Sequence, residues 1–314
     1  MDGRDPQEAT AAAEYQTALP KTVPMSVYQL PVDNKERDRL SLQHRLWCAF
    51  FGGLHPRPLH DAITERNMAA GGSFVVLDVG CGSGIWAVEM GNGYPQAQII
   101  GVDLVVNTTI SLPSNVQFRE QDIVQEGLPP AESGYDIIHA RTLTGYLKDP
   151  TAFVQAAYSA LKPGGLLILA DAFKPCWDDK SEPIPLLPNR RVAEAAPPPT
   201  GSWWAGWIFF WHQTCYTHYQ TVATLIEDHP GLSHVHRERY YAPMHRSCDK
   251  EREELGHISN SIALGFCRGG LDAFVASGEF TRSEVEGWIK LIEVEFETKS
   301  IYTMWDIAWG VKLA

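Results

Sequence analysis

Apolar residues along this chain fall into two patterns: short unbroken runs that end in an acid or a glycine, and longer stretches with helical spacing. The clearest run is Phe74-Val-Val-Leu-Asp-Val-Gly-Cys-Gly-Ser-Gly84. Its apolar part predicts a strand buried on both faces, and Ile85 to Met90 continue as a helix-compatible segment. Four more runs predict strands at Ala97–Asp103, Asn115–Arg119, Tyr135–His139 and Leu166–Asp171, the last preceded by Lys162-Pro-Gly-Gly165. A sixth strand is expected at Ser233–Tyr241, and a closing antiparallel one at Ile301–Trp309.

Helical spacing dominates elsewhere. Asp33 begins a pattern with Leu40, Leu42, Leu46, Trp47 and Phe50 on its apolar side, and Asp33 with Glu36 forms a plausible capping pair. Asp149-Pro150 starts another helix, because Pro suits the first helical position. Residues 250–276 are amphipathic, and Thr281-x-x-Glu284 is a capping box for a helix to about Lys299. Prolines break residues 174–200 into a crossover or lid. Ser202–His212 then packs four Trp and two Phe into one segment, which predicts an aromatic helix running to about Asp228.

The glycine pattern decides the chemistry. Gly80, Gly82 and Gly84 lack the Cβ that would keep a ligand from the backbone. A strand, a glycine turn and a helix start form a nucleotide-type site at the carboxyl edge of an open sheet. The third glycine comes one position too early for a dinucleotide fingerprint, and no Gly-Lys-Ser/Thr follows for a phosphate loop. Asp78-x-Gly80-x-Gly82-x-Gly84 resembles instead motif I of class I S-adenosylmethionine (SAM) methyltransferases. Asp103, ending the second strand, is placed to accept hydrogen bonds from ribose hydroxyls. Asp122 matches the position that accepts the adenine amine in that family.

Composition narrows the partners. The 314 residues are 44% hydrophobic and carry a net charge of −12, which argues against a broad nucleic-acid surface. His139-Ala-Arg-Thr stands where enzymes methylating base amino groups carry an Asn-Pro-Pro-Tyr type motif. Six scattered cysteines predict reduced thiols inside a cell, and Arg190-Arg191 is too short for a nuclear signal, so a cytoplasmic rather than nuclear protein is expected. No apolar stretch is long enough for a membrane span, and no metal-ligand cluster stands out, so no metal is expected.

Over roughly residues 25–314 the chain resembles the LaeA-like fungal methyltransferases. The markers are Tyr28-x-x-Pro31-x-Asp33-x-x-Glu36-x-x-Arg39 with His44 beyond, Leu77 to Trp86, Gly101-Val-Asp103-Leu104, Tyr135 to Arg141, Arg282-Ser-Glu-Val-Glu286 and Tyr302-x-x-Trp305. The resemblance implies a Rossmann-like class I α/β fold, with a seven-stranded, mostly parallel sheet, an antiparallel last strand, N-terminal helices and an inserted helical cap. The expected organisation is a mobile tail at 1–24, an N-terminal helical cap at 25–71 and a SAM-binding core at 72–314. That core carries a substrate cap or lid at about 174–230 and an extra helix at about 250–276.

The expected cofactor contacts are Tyr28, Asp78, Gly80, Cys81, Gly82, Gly84, Asp103, Leu104, Asp122, Ile123 and His139. His139 and His212 are candidate bases or positioning groups. Arg141, Trp203, Trp204, Trp207, Trp211 and His218 are candidate acceptor contacts, with S-adenosylhomocysteine (SAH) as the product. The enzyme's main tasks are alignment and exclusion of water, because the sulfonium is already a good leaving group. A phenol or amine acceptor benefits from a base, whereas a carboxylate needs none. The favoured reading is O- or N-methylation of an apolar secondary metabolite. The alternatives are a regulator working through velvet-type protein partners and a methyltransferase fold turned to a rearrangement. The sequence leaves the oligomeric state open.

Overall fold

The computed structural model describes residues 29–31, 33–72, 74–180, 182–184, 201–215, 220–245 and 250–313. Tyr28, His218, the expected tail at 1–24 and residues 185–200 of the expected lid lie outside them. The chain forms two compact units.

The larger unit comprises the described residues of Val32–Ala172, Gln220–Tyr240 and Trp305–Ala314. Two helices open it, α1 (Asn34–Phe51) and α2 (Arg57–Ala69). An alternating series follows: β1 (Val75–Val79), α3 (Ile85–Gly93), β2 (Gln98–Asp103), β3 (Val116–Glu120), α4 (Ile123–Glu126), β4 (Tyr135–Arg141), α5 (Pro150–Ala160) and β5 (Leu161–Trp177). Later come α7 (Val222–Glu227), β6 (Leu232–Pro243) and β7 (Tyr302–Lys312), and the ends of β5, β6 and β7 at 173–177, 241–243 and 302–304 fall within the residue ranges of the smaller unit. The seven strands lie in the order β3-β2-β1-β4-β5-β7-β6. Strands β1 to β5 pair in parallel, with Asp78 opposite Gly101 on one side and His139 on the other. The chain steps outward through β1, β2 and β3, then returns to the far side of β1 with β4. The order therefore reverses between β1 and β4, where open α/β sheets bind ligands.

The strands form where the sequence puts unbroken β-branched and leucine runs. Val76, Leu77, Val79, Ile137, Ile138, Leu167 and Leu169 are fully enclosed. Asp136 ties the amino ends of the strands together. Its buried carboxylate accepts from the Val75 amide (2.9 Å), Arg66 (2.9 and 2.7 Å) and Lys162 (2.6 Å). The lysine of Lys162-Pro-Gly-Gly165 is thus one arm of a clamp at the end of the sheet away from the glycine turn.

Helix α1 has an unusual inner face. Leu46 and Trp47 are enclosed as expected, but so are Glu36, Arg39, Gln43 and His44. Asp33 caps the helix by accepting from the Glu36 amide (2.9 Å). The Glu36 side chain turns instead to Arg39 in a two-bond pair of 2.7 and 2.6 Å.

The smaller unit comprises the described residues within Met1–Pro31, Phe173–Tyr219 and Tyr241–Met304. The described residues within 173–219 share this unit with those within 241–304. Its helices are α6 (Trp203–Cys215), α8 (Lys250–Ala276) and α9 (Arg282–Thr298). The single helix expected from Ser202 to Asp228 is two helices, α6 and α7. Thr221 caps the second by accepting from the Thr224 amide, so it has a start of its own. Glu295 of α9 is buried and accepts from the Ser202 hydroxyl (2.8 Å), the Trp204 amide (3.0 Å) and Lys299 (3.0 Å). This joins the start of α6 to α9. Among the described residues no helix is long and apolar enough to cross a membrane.

Candidate functional site

The glycine turn sits at the carboxyl end of β1. Gly80, Gly82 and Gly84 have φ of +69°, +53° and +80°, a region that side chains with a Cβ rarely enter. The amides of Gly80 and Cys81 donate to the Val102 carbonyl (2.8 and 3.0 Å), which anchors the turn to β2. A Cβ at Gly82 would come within 3.1 Å of Leu40, and one at Gly80 within 3.1 Å of Leu143. The turn is thus packed against Leu40 of α1 on one side and Leu143 of the loop after β4 on the other.

Acidic side chains flank it. Asp103 accepts from the Gly82 amide (2.8 Å), and burial raises its pKa above the usual carboxylate range. Asp122 caps α4 by accepting from the amides of Val124 and Gln125 (2.9 and 3.3 Å) and from the Gln125 side chain (2.8 Å). Leu104 is exposed and Ile123 partly so, both beside these acids in the chain. Cys81 is buried against Gly101, and burial pushes its thiol up, so it is an inert filler of the turn.

Asp78 and His139 face each other across β1 and β4. Nδ1 of His139 lies 2.8 Å from Oδ1 of Asp78, and Trp86 stacks on the imidazole at 3.7 Å. His55 meets the same tryptophan edge-on. Burial lowers the pKa of His139 despite the acid. The neutral ring then donates from Nδ1 to Asp78 and is held flat by the indole. The ring thereby positions Asp78 and keeps the lone pair of its Nε2.

A second chain of polar groups, which the sequence reading did not assemble, runs beside the first. Arg141 donates to Nδ1 of His44 (3.1 Å), and Nε2 of His44 lies 3.2 Å from Glu89 and 3.3 Å from Cys48. Burial, then the Arg141 charge, pushes the His44 pKa down to about 3. The signals were His44 as a family marker and Arg141 as a marker and candidate acceptor contact. His44, Cys48 and Glu89 also bring three possible metal-ligand atoms together. Because Nδ1 accepts from Arg141, Nε2 must keep its proton, and it donates to Glu89. The Cys48 thiol is raised to about 11, mainly by burial.

Beyond Arg141 the backbone is strained. Thr142 has φ of +52°, unusual for a β-branched residue. Its hydroxyl reaches Gln43 (3.3 Å) and its amide donates to the Ala170 carbonyl (2.8 Å). Strain of this kind clusters at functional sites.

The tryptophans expected to contact the acceptor are enclosed. Trp203, Trp204, Trp207 and Trp211 are at most 5% exposed. Trp207 packs on Phe274 and Trp288, Trp211 on Phe266 and Phe274, and Trp204 on Phe266 and Phe296. The Trp288 indole donates to the Trp203 carbonyl (2.9 Å). They form the core of the smaller unit, because a helix apolar on all sides must be enclosed on all sides. A pocket wall needs a face open to a ligand. His212 lies in α6, within the same unit.

SAM fits the larger unit's residues on two observations. The left-handed backbone of Gly80, Gly82 and Gly84 forms a turn that residues with a Cβ rarely adopt, and Asp78 and Asp103 stand beside it as acidic groups of the kind an ammonium and a ribose diol need.

Comparisons with known proteins agree with this chemistry. A family model described as a methyltransferase domain matches residues 43–225. The secondary metabolism regulator laeA of Coprinopsis cinerea is 29% identical over 229 residues, covering 70% of this chain and 53% of that protein. Methyltransferase pytC of Aspergillus terreus is 34% identical over 146 residues, covering 46% and 42%. The protein-methionine methyltransferase laeA of Emericella nidulans is 30% identical over 156 residues, covering 49% and 39%. The chain spans about half the length, or less, of these curated relatives.

Proposed function

We propose that this chain, which belongs to the methyltransferase-domain family, binds SAM at the carboxyl edge of β1, β2 and β3 and methylates an O or N atom of an apolar small molecule. The observation that carries the reading is the left-handed turn of Gly80, Gly82 and Gly84 with the Asp103 carboxylate bonded to the Gly82 amide at 2.8 Å. Bound there, SAM supplies an activated methyl group on a sulfonium. The glycine turn admits the ligand to the backbone. Asp103 keeps further lone pairs for two vicinal hydroxyls. Asp78, oriented by His139, directs negative charge towards the amino-acid tail. Asp122 and the apolar Leu104 and Ile123 receive the adenine.

Calorimetry with SAM and SAH tests the reading. Wild-type protein is expected to bind both, and Asp103→Ala to bind SAH about tenfold to a hundredfold more weakly, through loss of a charge-assisted contact. Wild-type protein that is folded and takes up neither ligand would overturn it.

A second reading rests on the similarity to proteins described as regulators of secondary metabolism. In it the chain acts through a velvet-type protein partner. Co-purification of a stoichiometric partner from a fungal cell, with no methylated small molecule formed, would favour it over the first.

A further inference from the structure

Arg141 ends β4 at the point where the strand order reverses, beside Asp78 and the glycine turn. A guanidinium has five N–H donors. Among the described residues this one makes a single hydrogen bond, to Nδ1 of His44, and no ion pair. His44 is neutral, so it gives Arg141 an acceptor but no counter-charge. The nearby carboxylates are otherwise engaged: Asp78 holds His139, and Glu89 takes the Nε2 proton of His44. Partly buried, and enclosed enough that desolvation disfavours its charge, the cation is oriented by a neutral imidazole and still has free donor capacity. Side chains arranged this way suit an arriving anion, which finds a fixed fork already aimed at it.

From the placement of Arg141 against neutral His44, we infer that this pair is the docking point for the carboxylate of the methyl acceptor, which makes the acceptor class an apolar carboxylic acid and the product its methyl ester. The inference rests on the SAM reading above. The chemistry is consistent with the side chains around it. His44 is bonded at both nitrogens, so it is not available to take a proton, and His139 donates from Nδ1 to Asp78 under Trp86. A carboxylate needs no base, because it is already ionised at neutral pH. The transfer balances without a proton: the new O–C bond uses a lone pair of the carboxylate, the broken S–C bond leaves its pair on sulfur, and anion and sulfonium both end neutral. Leu40 and Leu143, beside the turn, supply the apolar surroundings.

The same carboxylate chemistry could come from the amino-acid tail of the cofactor, and the experiment separates the two sources. Binding is measured by calorimetry on the full chain. The cofactor probes are SAH and 5′-methylthioadenosine, which lacks the tail. The acceptor probes, titrated into the SAH complex, are cinnamate, dodecanoate and their primary amides. The expected result is that wild-type protein prefers the acids to the amides at least tenfold. Arg141→Gln should lose that preference, with about a hundredfold weaker acid binding, while its SAH affinity stays within about threefold of wild type. Mass spectrometry should then find a base-labile methyl ester from wild-type protein with SAM. If Arg141→Gln weakens SAH but not 5′-methylthioadenosine, the arginine holds the cofactor tail and the inference falls. It also falls if wild-type protein binds SAH yet prefers the amides or binds neither class. That wild-type comparison stands even where Arg141→Gln is poorly folded. Wild-type protein that binds no SAH would instead remove the underlying SAM reading.

Discussion

Nδ1 of His139 lies 2.8 Å from Oδ1 of Asp78, on residues directly opposite each other in the parallel pair β1 and β4. The first acid of the glycine motif is therefore fixed by a neighbouring strand and by the indole of Trp86 behind the imidazole. His139→Ala removes the donor and leaves a cavity under Trp86 while Asp78 stays buried. The expected loss of stability is about 2–4 kcal/mol, measured by urea unfolding. SAH binding should weaken as well, because Asp78 loses its orientation. Unchanged stability and binding would show that the contact has no positioning role.

Acid should destabilise the larger unit through its buried histidines. His44, His55 and His139 all have pKa values below the ordinary 6.5, burial being the first cause in each. The unfolded chain takes up protons as the pH falls through 6.5, while the native state does not. Their contribution is complete above 6.5 and is lost below it, by up to about 1.4 kcal/mol per pH unit for each histidine. For His44 the loss continues towards a native pKa of about 3. Asp103 and Glu89, raised mainly by burial, oppose this only where carboxylates titrate. Urea unfolding at pH 7.5 and 5.5 should differ by about 3 kcal/mol, with a shallower dependence in His44→Gln. A flat profile over that window would contradict the assignment.

Asp136→Asn should separate stability from ligand binding. The carboxylate is fully buried and compensates two cations, Arg66 and Lys162. An amide can still accept from Val75 but cannot balance either charge, so the expected cost is about 3–5 kcal/mol. SAH affinity of the folded fraction should stay near wild type, because Asp136 begins β4 and the glycine turn lies at the other end of the sheet. A variant as stable as wild type would show the clamp to be dispensable.

Gly84→Ala tests the most crowded glycine of the turn. The new Cβ would lie 2.4 and 2.6 Å from ring atoms of Phe118, at a φ of +80°. Backbone strain and overpacking together are expected to cost about 2–4 kcal/mol. Adding Phe118→Leu should recover the packing part but not the strain. A second substitution that recovers nothing would assign the whole penalty to the backbone.

The order of strands, the glycine turn and the Thr281–Glu284 capping box were legible in the sequence because each depends on neighbours in the chain. Buried parallel strands need unbroken apolar runs, left-handed turns need glycine, and a capping box spans one helical turn. Asp78, Asp103 and Asp122 were legible for the same reason, each standing at the end or just beyond a readable strand. Two features needed the tertiary structure. The first is the polar inner face of α1, where His44 meets Arg141, a residue 97 positions away. A histidine in a helical pattern carries no mark of the guanidinium it will meet, since the bond exists only once α1 is packed against the end of β4. The second is the fate of Trp203, Trp204, Trp207 and Trp211. A helix apolar on every side must be covered, but its own sequence does not say by what. Phe266, Phe274, Trp288 and Phe296 of α8 and α9 supply that cover, and only the packed chain brings them to it.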